Sequence, residues 1–151
     1  MAHIIVELIE APLDAIAAYA EFDRNEAAAG AVVSFTGVVR GEGGIDHLYL
    51  DWYPGMTEAS MRDIADAAAG RFDIAALTIL HRCGKVAAGE AIVFVAAASA
   101  HRRAAFEAAD YAMDRLKSEA AFWKREVGPG MERWVEPRAE DAKDLNRWSK
   151  A

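Results

Sequence analysis

The segment Ala91-Ile92-Val93-Phe94-Val95-Ala96-Ala97-Ala98, bounded by Glu90 and Ser99, is apolar without interruption. It is far shorter than the ~20 residues that cross a bilayer, and its β-branched and aromatic members favour a strand covered on both faces. That strand belongs at the centre of a sheet, and its neighbours in sequence follow from it. Upstream, Leu77 to Leu80 is a second short strand, with Gly84 and Gly89 marking turns between the two. Downstream, Ser99 stands as a cap for a helix whose Phe106, Ala109, Met113 and Leu116 recur at steps of three and four, a core-facing stripe.

Further out, Ile4 to Ile9 is a first strand, and Pro12 opens a helix carrying Leu13, Ile16 and Ala17. Asp23 to Gly30 is a loop. Ala31 to Arg40 is a buried strand, broken by Gly41, Gly43 and Gly44, and His47 to Tyr53 alternates Leu48, Leu50 and Trp52 against Tyr49, Asp51 and Tyr53. The short glycine connection predicts that these two strands form a hairpin. Thr57 is the expected N-cap of a second helix, with Met56 and Met61 as a hydrophobic staple and Met61, Ile64, Ala68 and Phe72 on its buried side. Phe122 to Val127 and Glu132 to Val135 are short last strands, and a charged tail begins at about 137. The order strand, helix, strand, strand, helix, strand predicts an α+β protein with a split β-α-β sandwich core, one domain over 1–151.

At 151 residues, 54% hydrophobic and 27% charged, the chain has the composition of a folded domain. A net charge of −7, from 24 acidic and 17 basic residues, argues against nucleic acid as a partner. The first ten residues lack a basic leader and carry Glu7 and Glu10, so they read as a strand and not a secretory signal. The lone Cys83 fits a reducing, cytoplasmic setting, and no membrane segment is expected. His3, His47, His81 and His101 are too scattered for a zinc site, so no metal and no cofactor is expected. His81 and Cys83 read as structural residues after a core strand.

Chemistry is concentrated in basic residues at unusual places. His101, Arg102 and Arg103 fall in the first turn of the third helix, where each cation opposes the helix dipole at about 0.3 to 1 kcal/mol. Either they are tolerated at the surface or an anion bound there offsets the cost. Lys117 closes the same helix, either solvated or facing a site. In Phe122-Trp123-Lys124-Arg125-Glu126, strand alternation puts Lys124 on one side with Phe122 and Glu126. A lysine so flanked either snorkels or lines a cavity. Arg40, ending an apolar strand, has the same two readings, and Gly41-Glu42-Gly43-Gly44 either turns the chain or cradles a phosphate.

Four stretches together, Gly30 to Arg40, Tyr53-Pro54-Gly55-Met56, Ser99-Ala100-His101-Arg102, and Met113-Asp114-x-Leu116-Lys117 followed by Phe122 to Glu126, resemble the large, catalytic subunit of molybdopterin synthase, the MoaE family. They run in order over nearly the whole chain. The resemblance implies an α/β-hammerhead fold and a homodimer within a heterotetramer. At each end sits a ubiquitin-like sulfur carrier subunit of the MoaD type, whose C-terminal Gly-Gly thiocarboxylate enters the pocket. It implies two sulfur transfers to cyclic pyranopterin monophosphate, giving the molybdopterin dithiolene. By motif position, Lys117 and Lys124 are the implied catalytic residues. Arg40, His101, Arg102, Lys124 and Arg125 are implied substrate contacts, with Val38, Val39 and Glu126 in the contact segments. Lys117 takes the base's part in this reading and Lys124 stabilises developing negative charge. The chain departs from the family in a shorter Gly41–Asp46 loop without its asparagine, in Asp51 where glutamate is common, and in Ala121 where proline is frequent.

His101 and Lys117 lie 16 residues apart, about 24 Å along a continuous helix, so one small pocket holding both sets must draw them from two chains. The competing reading is a non-catalytic anion-sensing or dimerisation module with a basic ligand pocket.

Overall fold

The computed structural model describes residues 1–26, 28–136 and 138–149. Its elements in order are β1 (His3–Ile9), α1 (Ala15–Asn25), β2 (Ala31–Val38), β3 (His47–Trp52), α2 (Met56–Arg71), β4 (Ala76–Arg82), β5 (Gly84–Ala87), β6 (Ala91–Ser99), α3 (Arg102–Glu119), β7 (Phe122–Gly128), β8 (Met131–Trp134) and α4 (Ala139–Asn146). Two four-stranded sheets result, ordered β1-β4-β6-β2 and β5-β3-β7-β8. In the first, β1 runs parallel to β4, while β4–β6 and β6–β2 are antiparallel. β1 and β2, joined by α1, are therefore parallel strands split by β4 and β6, which is the α+β core expected from the element order.

The apolar run reads as it does because β6 is covered twice. Val93, Val95 and Ala97 belong to the main core with α2 and α3, whereas Phe94, Ala96 and Ala98 belong to a second cluster with Phe22 of α1. From Val93 to Ala98 successive positions thus meet protein on alternate faces. Truncating Phe94, which is fully buried, to alanine would cost about 3 to 5 kcal/mol.

The expected hairpin between residues 31–40 and 47–53 does not form. β2 pairs with β6, and β3 pairs with β5 and β7 in the other sheet. A register shift at Gly37/Val38 takes the chain out of the first sheet, and a single turn at Glu42–Gly44 delivers it to the second. The other crossing lies between β4 and β5, where only Cys83 separates the strands and Gly84 has φ +77°, a conformation that favours glycine. β5 itself, read from sequence as turns around Gly84 and Gly89, is a strand.

All three helix starts predicted from sequence also differ: α1 opens not at Pro12 but at Ala15, capped by Asp14, whose Oδ1 accepts from the Ala17 N–H at 3.0 Å. α2 is capped at Gly55 (φ +85°), whose N–H donates to Glu58 Oε1 at 3.0 Å. Thr57 is buried inside the first turn, where its hydroxyl accepts from the Tyr53 N–H at 2.9 Å and donates to the Ala121 carbonyl at 2.8 Å. It ties α2 to the entry of β7 instead of capping. Met56 is 59% exposed, so no staple forms, although Met61 is fully buried. α3 begins after His101, not Ser99, whose hydroxyl donates to the Asp73 carbonyl and accepts weakly from the His101 N–H at 3.3 Å. Phe106, expected in the core stripe, is 54% exposed, and the buried side of α3 is carried by Ala105, Ala108, Ala109, Tyr111, Ala112 and Leu116.

The charged C-terminal region is folded against α3. Arg147 Nη2 and Trp148 Nε1 both donate to Asp114 Oδ2 at 2.6 Å, and the Trp148 ring meets Phe72 and Tyr111 edge-on. Position 137, where the tail was expected to begin, and residues 150–151 lie outside the described residues.

Candidate active site

The two sheets and the end of α3 enclose a cavity of about 440 Å³. Each functional residue reaches it from a different element. The β2 exit supplies Val38, Val39 and Arg40; Val39 is buried, with its N–H on the Glu90 carbonyl at 3.0 Å and its carbonyl accepting from Gly89 N–H at 2.8 Å. That clamp fixes the backbone immediately before the exposed Arg40. The last turn of α3 supplies Lys117, and β7 supplies Lys124 and Glu126. A second space of about 490 Å³ continues past both lysines to Trp123 and Trp134. Together they make a cleft with a basic centre and aromatic sides.

Electrostatics separate the two lysines. Lys117 is exposed at the cavity rim. Lys124, half-buried in the middle of β7, has its pKa lowered from the usual lysine value, first because burial disfavours the ammonium and second because the Lys117 charge is close; Asp141 of α4 partly opposes this. A lysine so placed holds a larger share of neutral amine near pH 7 than a free one does. Burial and the neighbouring charge thus set Lys124 apart from Lys117, the residue to which the resemblance gives the base's part.

Not all the residues grouped by the sequence meet here. Arg125 sits on the opposite face of β7, with Nε 3.0 Å from Asp51 Oδ2 and Nη1 2.6 Å from Glu132 Oε1. Its guanidinium lies over the Tyr49 and Trp134 rings at 4.6 and 5.4 Å, and its two carboxylate partners raise its pKa. It does not line the cavity. Glu126 does, while its Oε1 accepts from Arg133 Nε at 2.7 Å. His101 and Arg102 are exposed at the far end of α3 and do not line it either. Their loop is held by a close approach: a Cβ at Gly30 would collide with the Ala100 carbonyl oxygen.

Several lining residues have no functional reading in the sequence, among them Met113, Arg138 and His81. Met113 belongs to the stripe, and Arg138 lies in the charged C-terminal region. His81 follows a core strand and has no local signal; only the fold shows that its ring stacks on Phe122, with centroids 4.3 Å apart, at the junction of the two sheets. Cys83, by contrast, keeps its structural reading: it is buried, and burial foremost, with Glu10 and Glu58, pushes its thiol up to about 11. Among the described residues, no helix is long and apolar enough to cross a membrane.

The chain has counterparts among known proteins in both sequence and fold. The family model described as MoaE protein matches residues 8–119. The molybdopterin synthase catalytic subunit of Caulobacter vibrioides is 48% identical over 145 residues, 95% of this chain and 97% of that protein. The protein of the same description from Mesorhizobium japonicum is 49% identical over 138 residues, 89% of this chain and 87% of that one. The solved molybdopterin cofactor biosynthesis protein E of Burkholderia multivorans superposes with a TM-score of 0.82 at 38% identity, covering 97% of each chain. With the fold, the order of the motifs and the matched length all in accord, this chain belongs to the MoaE family of molybdopterin synthase catalytic subunits.

Proposed function

We propose that the chain transfers sulfur from the C-terminal thiocarboxylate of a small MoaD-type carrier to cyclic pyranopterin monophosphate, acting in the cytosol as a homodimer within a heterotetramer. The observation that carries this is the pairing of Lys117 and Lys124 at one cavity in a protein of net charge −7. Both reactants are anionic, one a phosphate and the other a thiocarboxylate, and a local cationic cleft is what draws them together. Arg40 holds phosphate at the rim. Lys124 supplies the amine as base or nucleophile, and the Lys117 charge both lowers the Lys124 pKa and stabilises negative charge that develops on the transferring group. The cleft between Trp123 and Trp134 is the route for an extended Gly-Gly tail.

The complete site is shared by two chains. α3 is unbroken from Arg102 to Glu119, so its two ends cannot serve one small pocket in one copy. A two-fold arrangement brings His101 and Arg102 of one chain to Lys117 and Lys124 of the other.

The primary test is incubation of the purified chain with the pyranopterin and thiocarboxylated carrier, with detection of the dithiolene product; no product from the wild-type chain overturns the reading. The shared site is tested by co-refolding His101→Ala with Lys117→Ala. Each homodimer is expected to be inactive, while the mixed dimer regains activity through one intact composite site. Verified mixed dimers with no more activity than the parents would exclude it.

A further inference from the structure

His81 is the one buried titratable side chain at the cavity that the mechanism above does not use. It is 5% exposed, sandwiched at the meeting of β4 and β7, and its Nδ1 lies 2.8 Å from the Arg82 carbonyl oxygen. A carbonyl only accepts, so Nδ1 carries the hydrogen and, in the neutral ring, Nε2 carries a lone pair. The ring is neutral: burial, with a small contribution from the Lys124 charge, lowers its pKa to about 3.

Nε2 has no hydrogen-bond partner among the described residues, yet it is not sealed. The only fully enclosed side-chain nitrogen or oxygen without a partner among the described residues is Arg82 Nε. His81 Nε2 therefore keeps accessible surface, and His81 lines the cavity. The chemical need for it is plain from the other lining residues. Arg40, Lys117 and Arg138 only donate or attract anions, and Lys124 accepts only through the amine lone pair that the proposed chemistry uses. Of the side chains able to accept, Glu126 is a charged carboxylate with its Oε1 on Arg133, and Thr36 stands on the exposed outer strand β2, so His81 is the buried, uncharged acceptor among the described lining side chains. A heterocycle with ring N–H groups among these cations finds in His81 Nε2 a fixed, uncharged acceptor for one of those donors.

We propose that His81 is a substrate-binding residue, a neutral hydrogen-bond acceptor that takes a ring N–H of the reduced pterin through Nε2 and so orients the heterocycle beside Lys124. This rests on the pyranopterin reading above. The anionic ends of the reactants are recognised by the cations, and the uncharged ring by His81.

The test uses the chain in complex with its carrier and titrates cyclic pyranopterin monophosphate and, separately, inorganic phosphate. His81→Asn keeps a side-chain N–H for the Arg82 carbonyl and removes the Nε2 acceptor. It is expected to weaken pterin binding about tenfold, the scale of one neutral hydrogen bond, and to leave phosphate binding unchanged. Nitrogen-correlated NMR of the wild-type imidazole gives a reading that no folding defect can confuse. The Nε2 resonance should be that of an unprotonated nitrogen and move in the hydrogen-bonded direction on adding pterin but not phosphate. Equal pterin affinity in a folded His81→Asn variant, or an Nε2 resonance unmoved by bound pterin, overturns the proposal. A wild-type chain that does not bind pterin at all overturns instead the functional reading on which it rests.

Discussion

Lys124 and Arg125 are neighbours in one strand with the same formal charge, and their surroundings are opposite. Arg125 has two carboxylates and two aromatic rings about its guanidinium, and its pKa is raised. Lys124 is half-buried beside a second cation, and its pKa is lowered. The pleat of β7 makes the difference, since successive side chains leave opposite faces of the sheet. One face is a compensated surface that stabilises the fold. The other sets Lys124 beside a second cation with only Asp141 partly opposing, which on the proposed reading leaves an amine available for chemistry.

The sharpest way to break this comparison is to truncate both faces. Lys124→Ala and Lys117→Ala are each expected to lower turnover by more than about a hundredfold with folding retained, since general-base and electrostatic roles each contribute on that scale. Arg125→Ala should keep turnover within about threefold and show its loss in stability instead. Multiple-turnover assays with urea titrations on the three variants decide it. If Arg125→Ala collapses turnover while the fold stands, the division of β7 into a structural and a reactive face is wrong.

A second difference between the faces is a pH liability. His81 on the Lys124 side is folded with a pKa of about 3 against 6.5 for the free side chain. A group whose folded pKa is depressed contributes fully above the unfolded value, and that stability is lost as pH falls from about 6.5 toward 3. The slope is at most about 1.4 kcal/mol per pH unit. Urea unfolding at pH 7 and pH 5 should show this decline in the wild-type chain and a shallower one in His81→Asn. Parallel declines in the two would mean that His81 is not the group responsible.

Arg40 lies between these cases, cationic and exposed at the rim without burial of its own. Phosphate is held much the same in the ground and transition states, so Arg40→Ala should raise KM by about tenfold and change kcat less. Steady-state kinetics with kcat collapsed at unchanged KM would move Arg40 into the chemical step.

How much of this could be read in the sequence divides along the same line as the two faces. β6 was legible because its apolar residues need cover on both sides, and the fold provides α1 on one and α2 with α3 on the other. The placement of Lys124 with Phe122 and Glu126 followed from alternation alone, and alternation also separates Arg125 from them. The motif resemblance, which is linear, grouped Lys124 and Arg125 together, and the fold puts only the first at the cavity. What could not be read depends on pairing between distant strands. The hairpin expectation failed because β2 and β3 find better partners in β6 and β7, and short glycine connections do not report such choices. His81 reads as structural in the sequence for the same reason: its partner Phe122 is 41 residues away, in the other sheet.

The finest test of the contrast asks whether Lys124 is perturbed by its surroundings in the manner described. Burial disfavours its ammonium most, and the Lys117 charge adds to that. Removing the second cause in Lys117→Ala should raise the Lys124 pKa toward the usual value of about 10.4 without reaching it, because the burial remains. The shift is expected to be upward and the smaller of the two effects, since burial is the larger cause and two like charges near a protein surface are screened by water and salt. Competitive labelling of amines across a pH series, read at Lys124 by mass spectrometry, gives the midpoint in wild type and variant. The wild-type midpoint should lie lower, and the gap should narrow in high salt. An unchanged or lower midpoint in Lys117→Ala would show that the lysines do not act on one another, and the pairing that carries the functional reading would then lose its electrostatic basis even though both side chains line the same cavity.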